Sequence, residues 1–84
     1  MIHLTVLNLQ SIIFDGQVSS ITLPAETGEI TILPGHLPIV TPLKKGSISA
    51  VAVDAERYEQ EERKYFESNG GLLEFSDNEA TVLL

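Results

Sequence analysis

Residues Gly28–Pro38 read GEITILPGHLP. Ile30 and Ile32 alternate with polar residues, which is the period of a β-strand with one buried face. Pro34 and Pro38 each fix φ at about −65° and also restrict the residue that precedes them. The stretch therefore predicts a short strand that enters a rigid loop, and a loop of this stiffness is suited to presenting side chains to a partner.

Short alternating segments separated by turn residues lie on both sides of this stretch. Ile2–Leu9 alternates as a half-buried strand, and Asp15–Gly16 is a dipeptide typical of tight hairpins. Further turns are predicted at Lys44–Gly46 and Asp77–Asn78, and Asn69–Gly71 requires backbone freedom that glycine provides. Turn signals at such short intervals predict an all-β sandwich or barrel.

Composition excludes several classes of function. The 12 acidic and 5 basic residues give a formal net charge of −7, which disfavours binding to nucleic acid or to anionic lipid. The absence of cysteine excludes disulfides and cysteine metal sites and indicates an intracellular chain. Apolar runs of a few residues are too short for membrane insertion, and no signal peptide is predicted. A chain of 84 residues is one small domain with a marginal core, which a partner would help to stabilise.

The residues that could perform chemistry are few. His3 and His36 are far apart in the sequence, so no compact metal-ligand spacing exists. No phosphate-binding loop or nucleophile elbow occurs. The acidic run Glu56–Glu62 lacks the pattern of a calcium loop and is predicted to be a solvated hairpin tip. We therefore expect no catalytic residue, no metal, no cofactor and no small-molecule substrate.

Several motifs together resemble one family. Gly28–Pro38 resembles the hallmark segment of the epsilon subunit of bacterial F-type ATP synthase, which is called delta in mitochondria. Leu43–Gly46 is similar to the leucine, two residues and glycine that follow it in the family, and Ser68–Glu74 resembles the second signature. Asn78 and Thr81–Leu83 resemble the close of the family's β-domain. The resemblance covers nearly the whole chain in the family's order.

This resemblance implies a fold and a function. Residues 1–84 would form a flattened sandwich of about ten short, mostly antiparallel strands, without the C-terminal helical pair that most epsilon subunits carry. The chain would be a natural short form or a piece cut at the domain boundary, and its end on a strand slightly favours the first. It would be a non-catalytic subunit of the central stalk that binds gamma and the c-ring and couples proton- or sodium-driven rotation to ATP synthesis. It would lie at the cytoplasmic face of the bacterial inner membrane, with little or no helix-mediated inhibition of hydrolysis.

The segment Asp54–Glu67 admits two interpretations. Val51, Ala55 and Tyr58 have the i, i+4, i+7 spacing of a helix, so local propensity alone predicts one. The resemblance instead implies two strands joined by a charged hairpin. We predict strands over Ser47–Val53 and Arg63–Ser68, with a solvated tip between them that has room for a helical turn.

The proline loop has a local and a family interpretation. On its own, His36 is expected to cap its turn by hydrogen bonding to the backbone. The resemblance implies that His36, Leu37 and Thr41 contact gamma, and the two roles are compatible. A second gamma-facing segment would include Asn8 and Gln10, although Asn8 stands where the family commonly has a small residue.

Two carboxylates are candidates for a second contact. Glu29 matches a family glutamate in the loop that approaches the polar loops of the c-ring, and Glu26 would share this role. Opposite charges there would fix orientation more than affinity. The alternative is that both are ordinary solvated carboxylates.

Two other classes of function remain open from the sequence. The chain could be a free-standing acidic binding module that uses Gly28–Pro38 to hold a peptide or another small partner. A small β-barrel enzyme is the weaker option, because nucleophile, base and metal ligands do not cluster in the sequence.

Overall fold

The computed structural model describes residues 1–53 and 61–84, and these form six β-strands and no helix. The strands are β1 (Ile2–Leu7), β2 (Ile12–Ala25), β3 (Gly28–Ile32), β4 (Ile39–Val53), β5 (Glu61–Ser76) and β6 (Glu79–Leu83). The predicted all-β class is confirmed. The strands are fewer and longer than the ten short ones expected, because β2, β4 and β5 each contain 14 to 16 residues.

The strands form one sheet that closes on itself. Their order is β1-β6-β5-β4-β2-β3, and β1 also pairs with β2. Among the described pairings, β1 with β6 is parallel and the others are antiparallel. Strands β2 and β5 change neighbours along their length, so each contributes to both halves of a body that measures 34 × 28 × 18 Å. This is the flattened sandwich that the resemblance implied.

The core lies between the two halves and is formed by alternate positions of the strands. In β1 the inward residues are Ile2, Leu4 and Val6, as the alternation predicted. The other buried side chains of valine size or larger are Val18, Ile21, Leu23, Ile32, Leu43, Ile48, Val51, Leu73, Phe75 and Val82. Phe14 and Phe66 close one side of this core with their rings 5.6 Å apart.

The predicted hairpin at Asp15–Gly16 is wrong. Strand β2 continues through it, and Gly16 pairs with Leu4 of β1. The glycine instead makes room for an aromatic ring, since a Cβ there would lie 3.1 Å from the Phe14 side chain. The turn lies earlier, where Asn8 Oδ1 accepts hydrogen bonds from the backbone amides of Gln10 and Ser11, each at 2.8 Å. The Asn8 amide also donates to the Ser11 carbonyl oxygen at 3.0 Å, so the asparagine side chain adds to the backbone bond that closes this turn.

The predicted turn at Lys44–Gly46 is also wrong, because β4 continues and Gly46 pairs with Ser68 of β5. Asn69–Gly71 likewise lies within β5. The need for glycine is confirmed there, since Gly70 and Gly71 have φ of 116° and 136°. The buried Ser68 hydroxyl donates to the Gly70 carbonyl oxygen and accepts from its amide. The strand therefore bends at the glycines without ending.

The strands predicted on either side of the charged tip are confirmed. Strand β4 ends at Val53 and β5 begins at Glu61, and these two residues are paired. The predicted tip falls largely on residues 54–60, outside the described residues. The Asp77–Asn78 turn is confirmed, with φ of 49° and 59°, as the two-residue hairpin turn with two left-handed residues requires.

Candidate functional site

The loop between β3 and β4, residues 33–38, is a braced structure, and we refer to it as the proline loop. The His36 amide donates to the Leu33 carbonyl oxygen at 3.1 Å, which closes a turn through Gly35 at φ 81°. The His36 ring donates through Nδ1 to the Leu37 carbonyl oxygen at 2.7 Å. The histidine therefore caps its own loop, as its local interpretation predicted.

Residues in and beside the hairpin between β5 and β6 contact the proline loop and stabilise it. Asn78 Oδ1 accepts a hydrogen bond from the Gly35 amide at 2.7 Å. The His36 ring meets the Phe75 ring edge to face, with centroids 6.0 Å apart. Leu37 is 78% exposed on this braced loop. The loop thus presents a large apolar side chain to solvent with little freedom to withdraw it.

One side of the closed sheet carries a row of outward apolar side chains, and we call this side the outer face. Cross-strand pairing aligns residues from five strands in this row. The row consists of Pro42, Leu72, Leu83, Leu7 and Ile12. Three of its leucines, with Glu74 and Thr81, line a shallow groove of about 150 Å³. These side chains lie on the opposite side of their strands from the core, so the core does not need them.

The next row of the outer face is mixed. It consists of Val40, Glu74, Thr81, Thr5 and Asp15. Val40 is 66% exposed and lies at the edge of a second groove of about 460 Å³ that the proline loop shares through Pro38. An apolar row beside a mixed polar row is the pattern of a protein interface, with an apolar centre and a polar rim.

The family whose description is "ATP synthase, Delta/Epsilon chain, beta-sandwich domain" matches residues 1–84. The chain belongs to this delta/epsilon family. The ATP synthase epsilon chain of Bordetella avium is 35% identical over 82 residues, which cover 98% of this chain and 54% of the relative. The ATP synthase epsilon chain 2 of Nitrobacter hamburgensis is 40% identical over 74 residues, which cover 88% and 49%. The chain therefore spans about half the length of the curated relatives it matches.

Two solved structures show that the delta/epsilon fold is shared. A chain of the mitochondrial ATP synthase of Euglena gracilis matches with a TM-score of 0.81 and 24% identity, over 98% of this chain and 49% of that chain. A chain from the central stalk and c-ring structure of the Tetrahymena thermophila mitochondrial ATP synthase matches with a TM-score of 0.71 and 19% identity, over 98% and 61%. The match of the family to residues 1–84 confirms the resemblance found in the sequence, and the two structures show the same fold.

The residues that the delta/epsilon resemblance selected for a gamma contact lie in two places. His36 and Leu37 belong to the proline loop, which leads into Val40 of β4. Asn8 and Gln10 belong to the turn that joins Leu7 to Ile12 at one end of the apolar row. The outer face therefore extends between the two predicted segments.

Thr41 is placed differently in this delta/epsilon domain. It pairs with the buried Leu73, so its side chain lies on the core side of β4 and is only partly exposed, with its hydroxyl donating to the Pro42 carbonyl oxygen. Its neighbours Val40 and Pro42 are exposed and face outward. The sequence alone did not identify the apolar row, because only the cross-strand pairing shows that Leu72, Leu83 and Leu7 lie side by side.

Glu26 and Glu29 lie together near one end of the apolar row. Glu26 is in the turn between β2 and β3, and its amide donates to the Pro42 carbonyl oxygen at 3.1 Å. Glu29 lies on β3 and pairs with Pro24 of β2. Both side chains are exposed, and within residues 1–53 and 61–84 neither carboxylate forms an ion pair. The arrangement can attract a basic surface.

In the described part of this domain, no group of three or more histidine or acidic side chains has an arrangement that could hold a metal ion. None of the described residues forms a helix that could cross a membrane. The polar side-chain atoms buried in the same residues all have hydrogen-bond partners. The candidate functional features are therefore the proline loop, the outer face, and the β2–β3 turn with Glu26 and Glu29, which we call the acidic turn.

Proposed function

We propose that this chain is the β-domain of a central-stalk subunit of an F-type ATP synthase. In this role it binds gamma and the c-ring, helps to transmit ion-driven rotation to the catalytic sites and performs no catalysis itself. It works at the cytoplasmic face of a bacterial inner membrane, held there by its partners. The observation that carries the proposal is the outer face, which offers an apolar row to a partner in a chain of the delta/epsilon family.

The dimensions of the outer face suit a permanent protein contact. The apolar row crosses five strands, and four spacings of about 4.8 Å make it about 19 Å wide. Leu37 extends it at one end and the turn at Asn8 at the other. Specific interfaces bury about 800 Å² on each partner, so a gamma contact centred on this row would also have to include the proline loop and the turn at Asn8. We propose gamma as the partner that covers it.

The acidic turn supports the second half of the proposal. Glu26 and Glu29 are exposed beside the end of the apolar row, in a chain of net charge −7. Charges at the rim of an interface steer association and fix orientation, and salt screens them. We propose that these two carboxylates face the polar loops of the c-ring while the apolar row contacts gamma.

The test measures binding of the chain to the gamma subunit from its own source by calorimetry. We expect Leu37→Asp and Val40→Asp each to weaken binding at least about tenfold, because each places a charge in an apolar contact. Both residues are highly exposed in the chain alone, so the variants should fold, and circular dichroism checks this. Tyr65→Asp is the matched control, since Tyr65 is 66% exposed on the other half of the sandwich, where it pairs with Ser49.

The outcomes separate two functions. The stalk proposal is supported if Leu37→Asp and Val40→Asp lose binding to gamma and Tyr65→Asp keeps it. A folded wild-type chain that does not bind gamma overturns it and favours a free-standing acidic module. Equal weakening by all three variants would overturn the assignment of the contact to the outer face.

A further inference from the structure

A histidine lies between two carboxylates on the outer face, away from the apolar row. His3 Nε2 is 2.5 Å from Asp15 Oδ1, and His3 Nδ1 is 3.1 Å from Glu79 Oε2. Asp15 belongs to β2 and Glu79 to β6, and β1 lies between these strands. One side chain therefore connects three strands. The proposed stalk function assigns no role to His3 or Glu79, although Asp15 belongs to the mixed row of the outer face.

The contacts select one protonation state of the ring. A neutral imidazole has one N–H and one lone pair, so it can donate to only one of the two carboxylates. The other carboxylate would then face a lone pair. An imidazolium donates through both nitrogens and is attracted to both negative charges. The geometry is therefore satisfied only by the charged ring.

The position of the cluster gives it a structural consequence. β1 is the strand that closes the sheet, since it pairs with β2 on one side and with β6 on the other. His3 stands opposite Glu79 in the parallel pairing, and its amide donates to the Asn78 carbonyl oxygen at 2.9 Å. We infer that His3, Asp15 and Glu79 form a proton-dependent clasp that holds β1 between β2 and β6 and thereby keeps the sheet closed.

The surroundings of the ring favour the charged state. The charged groups that face it are Asp15 from β2 and Glu79 from β6, while Gln17 is its partner position on β2 and Ser76 of β5 stands beyond Glu79. In the described part of the chain, neither carboxylate has a lysine or arginine partner. The hydrogen bond to Asp15, followed by that to Glu79, raises the pKa of His3 above its ordinary value, against a smaller opposing effect of desolvation.

The direction of the pH effect follows from this. A group whose pKa is raised by folding stabilises the folded state. This stabilisation is fully present at pH values below the pKa of the group in the unfolded chain, which for histidine is about 6.5. The stabilisation is lost as the pH rises through the raised pKa of His3 in the folded protein. Because the cluster is exposed, salt weakens the effect.

The first test is an NMR titration of the His3 ring in the whole chain, from about pH 5 to about pH 9. We expect its midpoint to lie at a lower pH in Asp15→Asn and in Glu79→Gln than in the wild type, because each substitution removes one negative partner. Both replacements are nearly isosteric and exposed, so they keep the fold. A His3 midpoint that neither substitution moves would overturn the clasp.

The second test measures melting temperature at about pH 6 and about pH 8.5. We expect the wild type to melt at a higher temperature at the lower pH, and His3→Gln to lose at least half of this difference. His36→Gln is the matched control, because it removes the other histidine and leaves the clasp intact. An unchanged difference in His3→Gln, or its loss in His36→Gln alone, would contradict the inference.

Discussion

Asn78 joins two parts of the chain that lie far apart in the sequence. Its backbone adopts a left-handed φ of 59° in the turn between β5 and β6, a conformation that asparagine tolerates better than most residues. Its side chain accepts the Gly35 amide at 2.7 Å, and its carbonyl oxygen accepts the His3 amide at 2.9 Å. A single residue thus positions the proline loop against the start of β1.

Replacing Asn78 by glycine tests this role of the side chain. Glycine keeps the left-handed turn but removes the acceptor, so the Gly35 amide loses its bond. A hydrogen bond of this kind contributes about 1 kcal/mol. We expect the Gly35 amide to exchange with solvent about five- to tenfold faster, measured by NMR hydrogen exchange. Asp77→Gly is the control in the same turn and should leave this rate unchanged, and equal acceleration in both variants would assign the effect to the turn backbone.

At the scale of elements, β5 and β6 can pair closely because Gly71 has no side chain. A Cβ at this position would collide with the Leu83 carbonyl oxygen, and the φ of 136° is unfavourable for any other residue. Gly70 has a comparable φ of 116°, but a Cβ there would meet only the Leu43 carbonyl oxygen at 3.9 Å. A side chain at position 70 would therefore meet backbone strain alone, whereas a side chain at position 71 would meet both backbone strain and a steric collision.

We expect Gly71→Ala to destabilise the domain by at least about 2 kcal/mol, because it combines strain with overpacking. Gly70→Ala should cost less, since it carries the strain alone. Urea unfolding monitored by circular dichroism measures both free energies of unfolding. Equal losses in the two variants would show that the approach of β6 does not determine the need for glycine at position 71.

The elements also show how far the sequence could predict the structure. Alternation located the buried side of β1 correctly, because burial follows the period of a strand. The hairpin at Asp15–Gly16 was wrong, because the side chain of Asn8 closes a turn several residues earlier and Gly16 accommodates Phe14. A dipeptide rule cannot weigh such competition between a local turn signal and packing.

The candidate site was only partly predictable for a related reason. The proline loop was found, since its signals are local in the sequence. The apolar row depends on the pairing of five strands, and a single outward leucine such as Leu83 is not unusual in itself. The His3 cluster joins residues 12 and 76 positions apart, so only the closed sheet brings them together.

At the scale of the whole molecule, the closed sheet favours rigidity. Each described strand except β3 pairs with at least two neighbours, so the described edges are confined mainly to β3 and to residues 61–71 of β5, which pair with β4 alone. Closure leaves few unpaired edges for a second chain to extend, so partners are expected to bind through side chains on the outer face. Such a body is suited to the stalk role that we propose.

The rigidity has a consequence for regulation. Inhibition by extended helices needs a segment that leaves the β-domain and reaches the catalytic head, whereas the described residues form strands within a body 34 Å long. We therefore expect this 84-residue chain, added at saturation to the catalytic head of its own source with gamma present, to leave the rate of ATP hydrolysis nearly unchanged. A full-length epsilon chain that inhibits the same preparation is the positive control, and calorimetry on the same samples confirms that the short chain is bound. Inhibition as strong as that of the full-length chain would place a regulatory contact on the β-domain itself, and the outer-face variants Leu37→Asp and Val40→Asp would then show whether the gamma contact transmits it.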